Sequence, residues 1–193
     1  AYIGYSPSGG ADWADGVISD LKLWNRALTT AEIQANYAAA IPGVVPQAWN
    51  PTVDYSTTNG NPNGVWTYGG MDTAFTTFTP YPNHDAASWS GVSSIWQNTG
   101  NGAPYGAPPG SISLHPGPGT EPSILRWTAP AGYSGLTQVT GQFLAGDSGT
   151  MQVAVRKNNV QVWNATNAGT FDLSLGISAG DTVDFAVYGG YNY

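Results

Sequence analysis

An all-β fold built as a sandwich of short strands is predicted by three features of the sequence. Turn formers are abundant, with 26 Gly and 14 Pro among 193 residues; charge is scarce, at 9%; and aromatics are plentiful, with 8 Trp, 11 Tyr and 5 Phe. Many tight turns joining short aromatic segments read as the strands of a sandwich or barrel. The length suits one or two domains with room for a sizeable core.

The charge balance narrows the partners. Five Lys and Arg against twelve Asp and Glu give a net charge of −7. A nucleic-acid binder needs a basic footprint on the phosphates, and this chain offers none. Anionic membrane surfaces are disfavoured for the same reason, and no apolar run approaches the roughly 20 residues of a spanning helix. The opening residues lack a secretory leader pattern, the expectation being that one was removed or lies outside this stretch. Cysteine is absent, which excludes disulfides, thiolate metal sites and a Cys nucleophile. Scarce Lys with abundant Asn, Gly, Thr, Ser and aromatics points to a secreted or cell-surface protein.

In chain order, Asp15-Gly16 opens a strand through Val17, Ile18, Leu21, Leu23 and Trp24. Thr29 and Glu32 then stand at capping-box spacing, predicting a short helix through Ile33 and Tyr37 that Pro42 and Gly43 end. Residues 43–48 read as a linker. From Trp49 to about Pro109, Asn-Pro, Asn-Gly and Pro-Pro pairs separate short strands predicted at 64–68, 74–78 and 92–97. The pattern sharpens beyond that, with strands at 111–115, 123–128, 137–144, 150–157, 160–164, 170–175 and 182–188. Lys157-Asn158-Asn159-Val160 reads as a hairpin turn, because Asn tolerates positive φ. In the last strand Val183, Phe185 and Val187 share one face and Thr182, Asp184 and Ala186 the other, the alternation of a half-buried strand.

The run from Trp13 to Tyr37, with its Asp15-Gly16, Ile18-Ser19-Asp20, Leu23-Trp24-Asn25-Arg26-Ala27-Leu28 and capped Glu32-Ile33 helix, resembles the closing strand and helix of a laminin-G-like domain. That domain belongs to the concanavalin A-like lectin/glucanase superfamily. From Trp49 onward the chain resembles a β-jelly-roll module, similar in outline to galactose-binding-like domains, of large secreted bacterial surface proteins. The resemblance rests on Trp49-Asn50-Pro51, Asn61 to Gly69, Leu114-His115-Pro116-Gly117, Leu125 to Pro130 and Ala179 to Val187. It implies a C-terminal piece of a laminin-G-like domain over 1–42, then a β-sandwich module over 49–193. Both ends read as cut, the module lacking its last strand. Either a longer polypeptide continues, or neighbouring chains complete one another with exchanged strands.

Catalysis is not expected. The two glutamates, Glu32 and Glu121, fall in different units, and Asp181 and Asp184 sit on opposite faces of their strand, so no carboxylate pair flanks a scissile bond. His84, beside Asp85 in a predicted loop, reads as a solvated loop histidine and His115 as a structural hydrogen-bonding residue. Aromatics carry the functional signal, since Trp and Tyr rings pack on the C–H faces of sugars while Asn, Asp and Gln satisfy hydroxyls. The candidate carbohydrate-binding residues are Trp89, Tyr105, Asn83, Asp85, Asn101, Trp66 and Tyr68. Trp89 and Tyr105 lie among turn residues and are expected to be exposed. Trp66 and Tyr68 share one face that serves either the core or a sugar. Trp127 and Trp163, within clean strands, are expected in the core.

No cofactor is required on this reading. Calcium is the one candidate ion, with Asp12, Asp15 and Asp20, or Asn83 and Asp85, as oxygen ligands. The expected function is a non-catalytic extracellular carbohydrate-binding or adhesion module whose partner is a polysaccharide or glycoconjugate. The alternative is a self-assembling subunit of an extracellular filament or sheath that binds copies of itself.

Overall fold

The structure, a computed structural model, describes residues 26–29, 32, 47–146 and 149–189. The chain divides into two compact units, Ala1–Ala48 and Trp49–Tyr193. In the first, the capping box is formed as its spacing predicts. The Thr29 N–H donates to Glu32 Oε2 at 2.9 Å, and the Glu32 N–H donates back to Thr29 Oγ1 at 3.3 Å. Arg26 closes on the same carboxylate, which holds the Glu32 carboxyl down at about 2. The 16–24 strand, the rest of the helix, and Asp12, Asp15 and Asp20 lie outside the described residues.

Among its described residues the second unit is all β apart from one short helix, α1 (Pro51–Asp54), and a 3-10 turn at Pro104–Gly106. The strands described are β1 (Trp66–Met71), β2 (Phe78–Pro80), β3 (Asn83–His84), β4 (Ser88–Ser90), β5 (Ser94–Gln97) and β6 (Ile112–His115). They continue with β7 (Ser123–Thr128), β8 (Ser134–Phe143), β9 (Gln152–Lys157), β10 (Val160–Thr166), β11 (Gly169–Ser178) and β12 (Thr182–Tyr188). All pairings are antiparallel. One sheet runs β10-β9-β12-β7-β1-β2; the facing layer is made of two smaller sheets, β3-β4-β5-β6 and β11-β8.

The core lies between these layers, as alternation demands of a sandwich. Trp66, Tyr68, Leu125, Trp127, Val155 and Val183 of the large sheet meet Trp89 and Ile95 of one small sheet and Phe171 and Ile177 of the other. The Asn158-Asn159 turn is as expected, with φ of 48° and 66°. Trp127 is buried and Trp163 packs against the same core, stacked on Phe143 with centroids 5.9 Å apart.

Four expectations are corrected. Residues 74–78 form a turn rather than a strand: Asp72 accepts hydrogen bonds from the Thr76 and Thr77 N–H groups at 2.8 and 2.9 Å, and Phe75 adopts φ 58°. The Asx-type bonding of Asp72 competes there with sheet pairing. Secondly, β3 and β4 were unforeseen, being too short to show alternation, and His84 closes β3 instead of lying in a loop. Thirdly, β8 and β11 are ten residues each, longer than predicted, because pairing carries through glycines 135 and 176.

Finally, β12 is buried on both faces. The 72–77 turn folds over the outer side of the large sheet, where Phe75, Phe78 and Tyr188 cover Met71, Ile124 and Ala186. Asp184, fully buried on that side, pairs with Arg126, over which the Phe78 ring sits at 4.0 Å.

Candidate functional site: an aromatic ledge on the four-stranded sheet

Registers fix what the small sheet β3-β4-β5-β6 shows to solvent. His84, Trp89, Ile95 and Leu114 form one rung; Trp89 and Ile95 are buried and Leu114 packs against the core. The neighbouring rungs, of opposite parity, face outward. One is Ser88, Trp96 and Ser113; the other is Asn83, Ser90, Ser94 and His115. Trp96, half-buried, is the one aromatic in these two rungs, with a serine on either side.

Tyr105 stands beside it. Its ring meets Trp96 edge-on, with centroids 6.4 Å apart and planes at 83°, and it is 74% exposed. An exposed tyrosine at φ 53° requires external support, since a non-glycine residue pays for the left-handed region. Asn98 provides it. Its buried side chain donates to the Gly102 and Ala107 carbonyls, both at 2.8 Å, and accepts from the Gly100 N–H at 3.0 Å. The loop ends are tied as well, through Asn98 N–H to the Ser111 carbonyl and Gly110 N–H to the Asn98 carbonyl. One buried amide thus braces the loop that presents Tyr105.

The predicted site residues separate into two groups. Trp89, expected at the surface, is 4% exposed and belongs to the core. Its ring stacks on Tyr68 at 5.9 Å, and its indole N–H donates to the Ser56 carbonyl at 2.8 Å. Trp66 and Tyr68 are buried too; the Trp66 indole donates to Asp54 Oδ2 at 3.0 Å, and Tyr68 packs edge-on against Tyr55. Burial raises the hydroxyl pKa of both Tyr55 and Tyr68. None of these rings offers a free face for stacking.

Tyr105, Asn83, Asp85 and Asn101 are exposed. Asn83 shares the outward face of the sheet with Trp96, and Asn101 lies in the braced loop with Tyr105. Asp85 is committed to its own turn, accepting from the Ala87 and Ser88 N–H groups at 2.8 and 2.7 Å, bonds that lower its carboxyl pKa. Sequence reasoning missed the roles of Trp96 and Asn98. The β5–β6 alternation would have set Trp96 opposite Ile95; Asn98 carries no sequence signal beyond being an Asn at a strand end.

An exposed tyrosine edge, a half-open indole and two serine-rich rungs can do non-covalent work, giving apolar ring surface flanked by hydroxyl donors and acceptors. Among the described residues no three His, Cys, Asp or Glu side chains gather as a metal site, and no helix is long and apolar enough to cross a membrane. Compared with models of known families, with curated proteins and with solved structures, the chain gives no match.

Proposed function

We propose that the Trp49–Tyr193 unit is a non-catalytic carbohydrate-binding module, secreted or displayed at a cell surface, that grips a polysaccharide on the Trp96–Tyr105 ledge. The observation that supports this best is the Asn98-braced loop, which holds an exposed tyrosine in an unfavourable backbone conformation beside an outward tryptophan. A packing role does not call for a tyrosine left 74% exposed, whereas ligand stacking does. Sugar C–H faces would rest on the Trp96 and Tyr105 rings. Ser88, Ser113, Asn83 and Asn101 would take the hydroxyls, with no covalent step.

The finer reading of the fold, a jelly roll of the galactose-binding-like type, accords with one six-stranded sheet packed on a divided opposing layer. Composition and the resemblance to bacterial surface modules support the extracellular setting.

Affinity electrophoresis through gels carrying a panel of neutral and acidic polysaccharides tests the proposal. Retardation by at least one polysaccharide that is lost in both Trp96→Ala and Tyr105→Ala is expected. Equal mobility in every gel, or retardation indifferent to both changes, would overturn it.

A further inference from the structure

The Trp49–Tyr193 unit holds three of the chain's Lys and Arg residues, Arg126, Arg156 and Lys157, against eight Asp and Glu. All three belong to the large sheet. Asp184 pairs in register with both Arg126 and Arg156, so the three side chains share one rung on its outer side. Phenylalanine rings cover both guanidinium groups there, Phe78 over Arg126 at 4.0 Å and Phe75 over Arg156 at 4.1 Å. Arg126 is committed to Asp184 and Asn159, and Arg156 donates to the Asn159 carbonyl. Lys157, at the end of β9, pairs with Asp181 at 3.2 Å.

The ledge lies on the outward face of the opposing layer, with the core between it and the arginines. No Lys, Arg, Asp or Glu stands in its two outward rungs, which offer Ser88, Ser90, Ser94, Ser113 and Asn83 beside Trp96. Asp85, in the turn between β3 and β4, is exposed, and hydrogen bonds from the Ala87 and Ser88 N–H groups favour its charged form. His84 and His115 complete the titratable groups on these four strands. A polyanion reaching the ledge would meet no Lys or Arg to neutralise it, in a unit of negative net charge. Hydroxyl and amide side chains instead match a sugar whose own polar groups are uncharged.

The rings constrain the physical form of the ligand as well. A crystalline polysaccharide presents one flat surface, and stacking on it requires aromatic faces that lie in one plane. The Trp96 and Tyr105 planes cross at 83°, so a flat surface can rest on one of them and not on both. Flattening the corner would mean turning Tyr105 away from Trp96 and losing their edge contact. A dissolved chain can bend from one ring to the other, or seat one sugar in the corner with C–H groups on both.

Taking Trp96 and Tyr105 as the sugar-contacting pair, on which this step rests, we propose that the ledge selects uncharged polysaccharides in dissolved, flexible form. Polyanionic chains and crystalline surfaces are passed over.

Affinity gels of neutral chains (galactomannan, xyloglucan, dextran) and acidic ones (polygalacturonate, alginate, chondroitin sulfate) test this, at about pH 8.5 to keep imidazole uncharged. Pull-down on microcrystalline cellulose and chitin powder covers the flat surfaces. Retardation by at least one neutral chain is expected, several-fold above any acidic one and lost in Trp96→Ala. Added salt should leave it unchanged, and the powders should capture nothing. Ser90→Lys, which sets a cation on the same face, should add retardation by an acidic chain; no gain would overturn charge as the basis of the choice. Stronger retardation by an acidic chain than by every neutral one, lost in Trp96→Ala, would overturn the selection while leaving the ledge in place. Powder capture lost in the same variant would do likewise. Equal mobility in every gel with no powder capture would overturn the reading of the ledge itself.

Discussion

Arg126 and Asp184 meet across the β7–β12 ladder on the outer side of the large sheet, Nε to Oδ1 at 2.7 Å and Nη2 to Oδ2 at 2.8 Å. The carboxylate is fully buried and the guanidinium lies beneath the Phe78 ring. A two-bonded charge pair in that position fixes the β7–β12 register from the side away from the core. Asp184→Ala would leave the Arg126 charge without its counter-ion under an aromatic cover. That change should cost about 3 kcal/mol or more, read as a lower urea midpoint. Lys157→Ala, which breaks the more exposed pair with Asp181, should leave the midpoint close to that of the parent.

The 72–77 turn titrates. Hydrogen bonds from the Thr76 hydroxyl and N–H, joined by Thr77, hold the Asp72 carboxyl down at about 2. A carboxyl depressed in the folded state stabilises that state above its unfolded value of about 4, and loses this as pH falls through the folded value. The parent should therefore exceed Asp72→Asn in stability at neutral pH, with the difference shrinking between about pH 4 and pH 2. Paired denaturation curves across that range check it; a gap that widens on acidification would contradict the sign.

Asn98→Ala should do two things at once. Loss of three side-chain bonds, one buried and two partly buried, should lower stability by about 2 kcal/mol. Release of the loop should also weaken polysaccharide retention, although Asn98 touches no ligand on this account. Faster hydrogen exchange over residues 99–107 would report the loosened brace.

Tyr105 permits stability and binding to be separated. Glycine adopts φ 53° without penalty, so Tyr105→Gly should leave the melting temperature unchanged or raise it slightly. Retention by polysaccharide should nonetheless fall by about tenfold, equivalent to about 1.4 kcal/mol. A variant both less stable and still retained would place Tyr105 in packing instead.

Much of this architecture is legible in the sequence, and the exceptions share physical causes. Strands β7, β9, β10 and β12 could be located because their Val, Ile, Trp and Phe spacing persists over six or seven residues between clear turns. β3 and β4 hold two and three residues, below the length at which alternation can be seen. The outer cover of β12 was hidden because Phe75 and Phe78 reach it through an Asp72-nucleated turn, a tertiary event that strand periodicity does not encode.

The candidate site was legible in kind but only partly in identity. Composition points to an aromatic, Asn-rich loop region, and Tyr105 within it is exposed. The turn residues around Trp89 predict exposure, yet its indole packs inward on Tyr68. Trp96, one strand away, takes the outward position instead. Which of two neighbouring tryptophans faces solvent depends on parity in a sheet only four strands wide, and local composition is silent on parity.

The central claim is that Trp96 and Tyr105 form the sugar-contacting surface. Titrating indole-labelled protein with the polysaccharide that retards it, and following the indole N–H resonances by NMR, tests this most directly. The Trp96 resonance should move in a saturable way, while those of the buried Trp66, Trp89 and Trp127 stay in place. Shifts confined to other tryptophans, with Trp96 unmoved at saturation, would contradict the account.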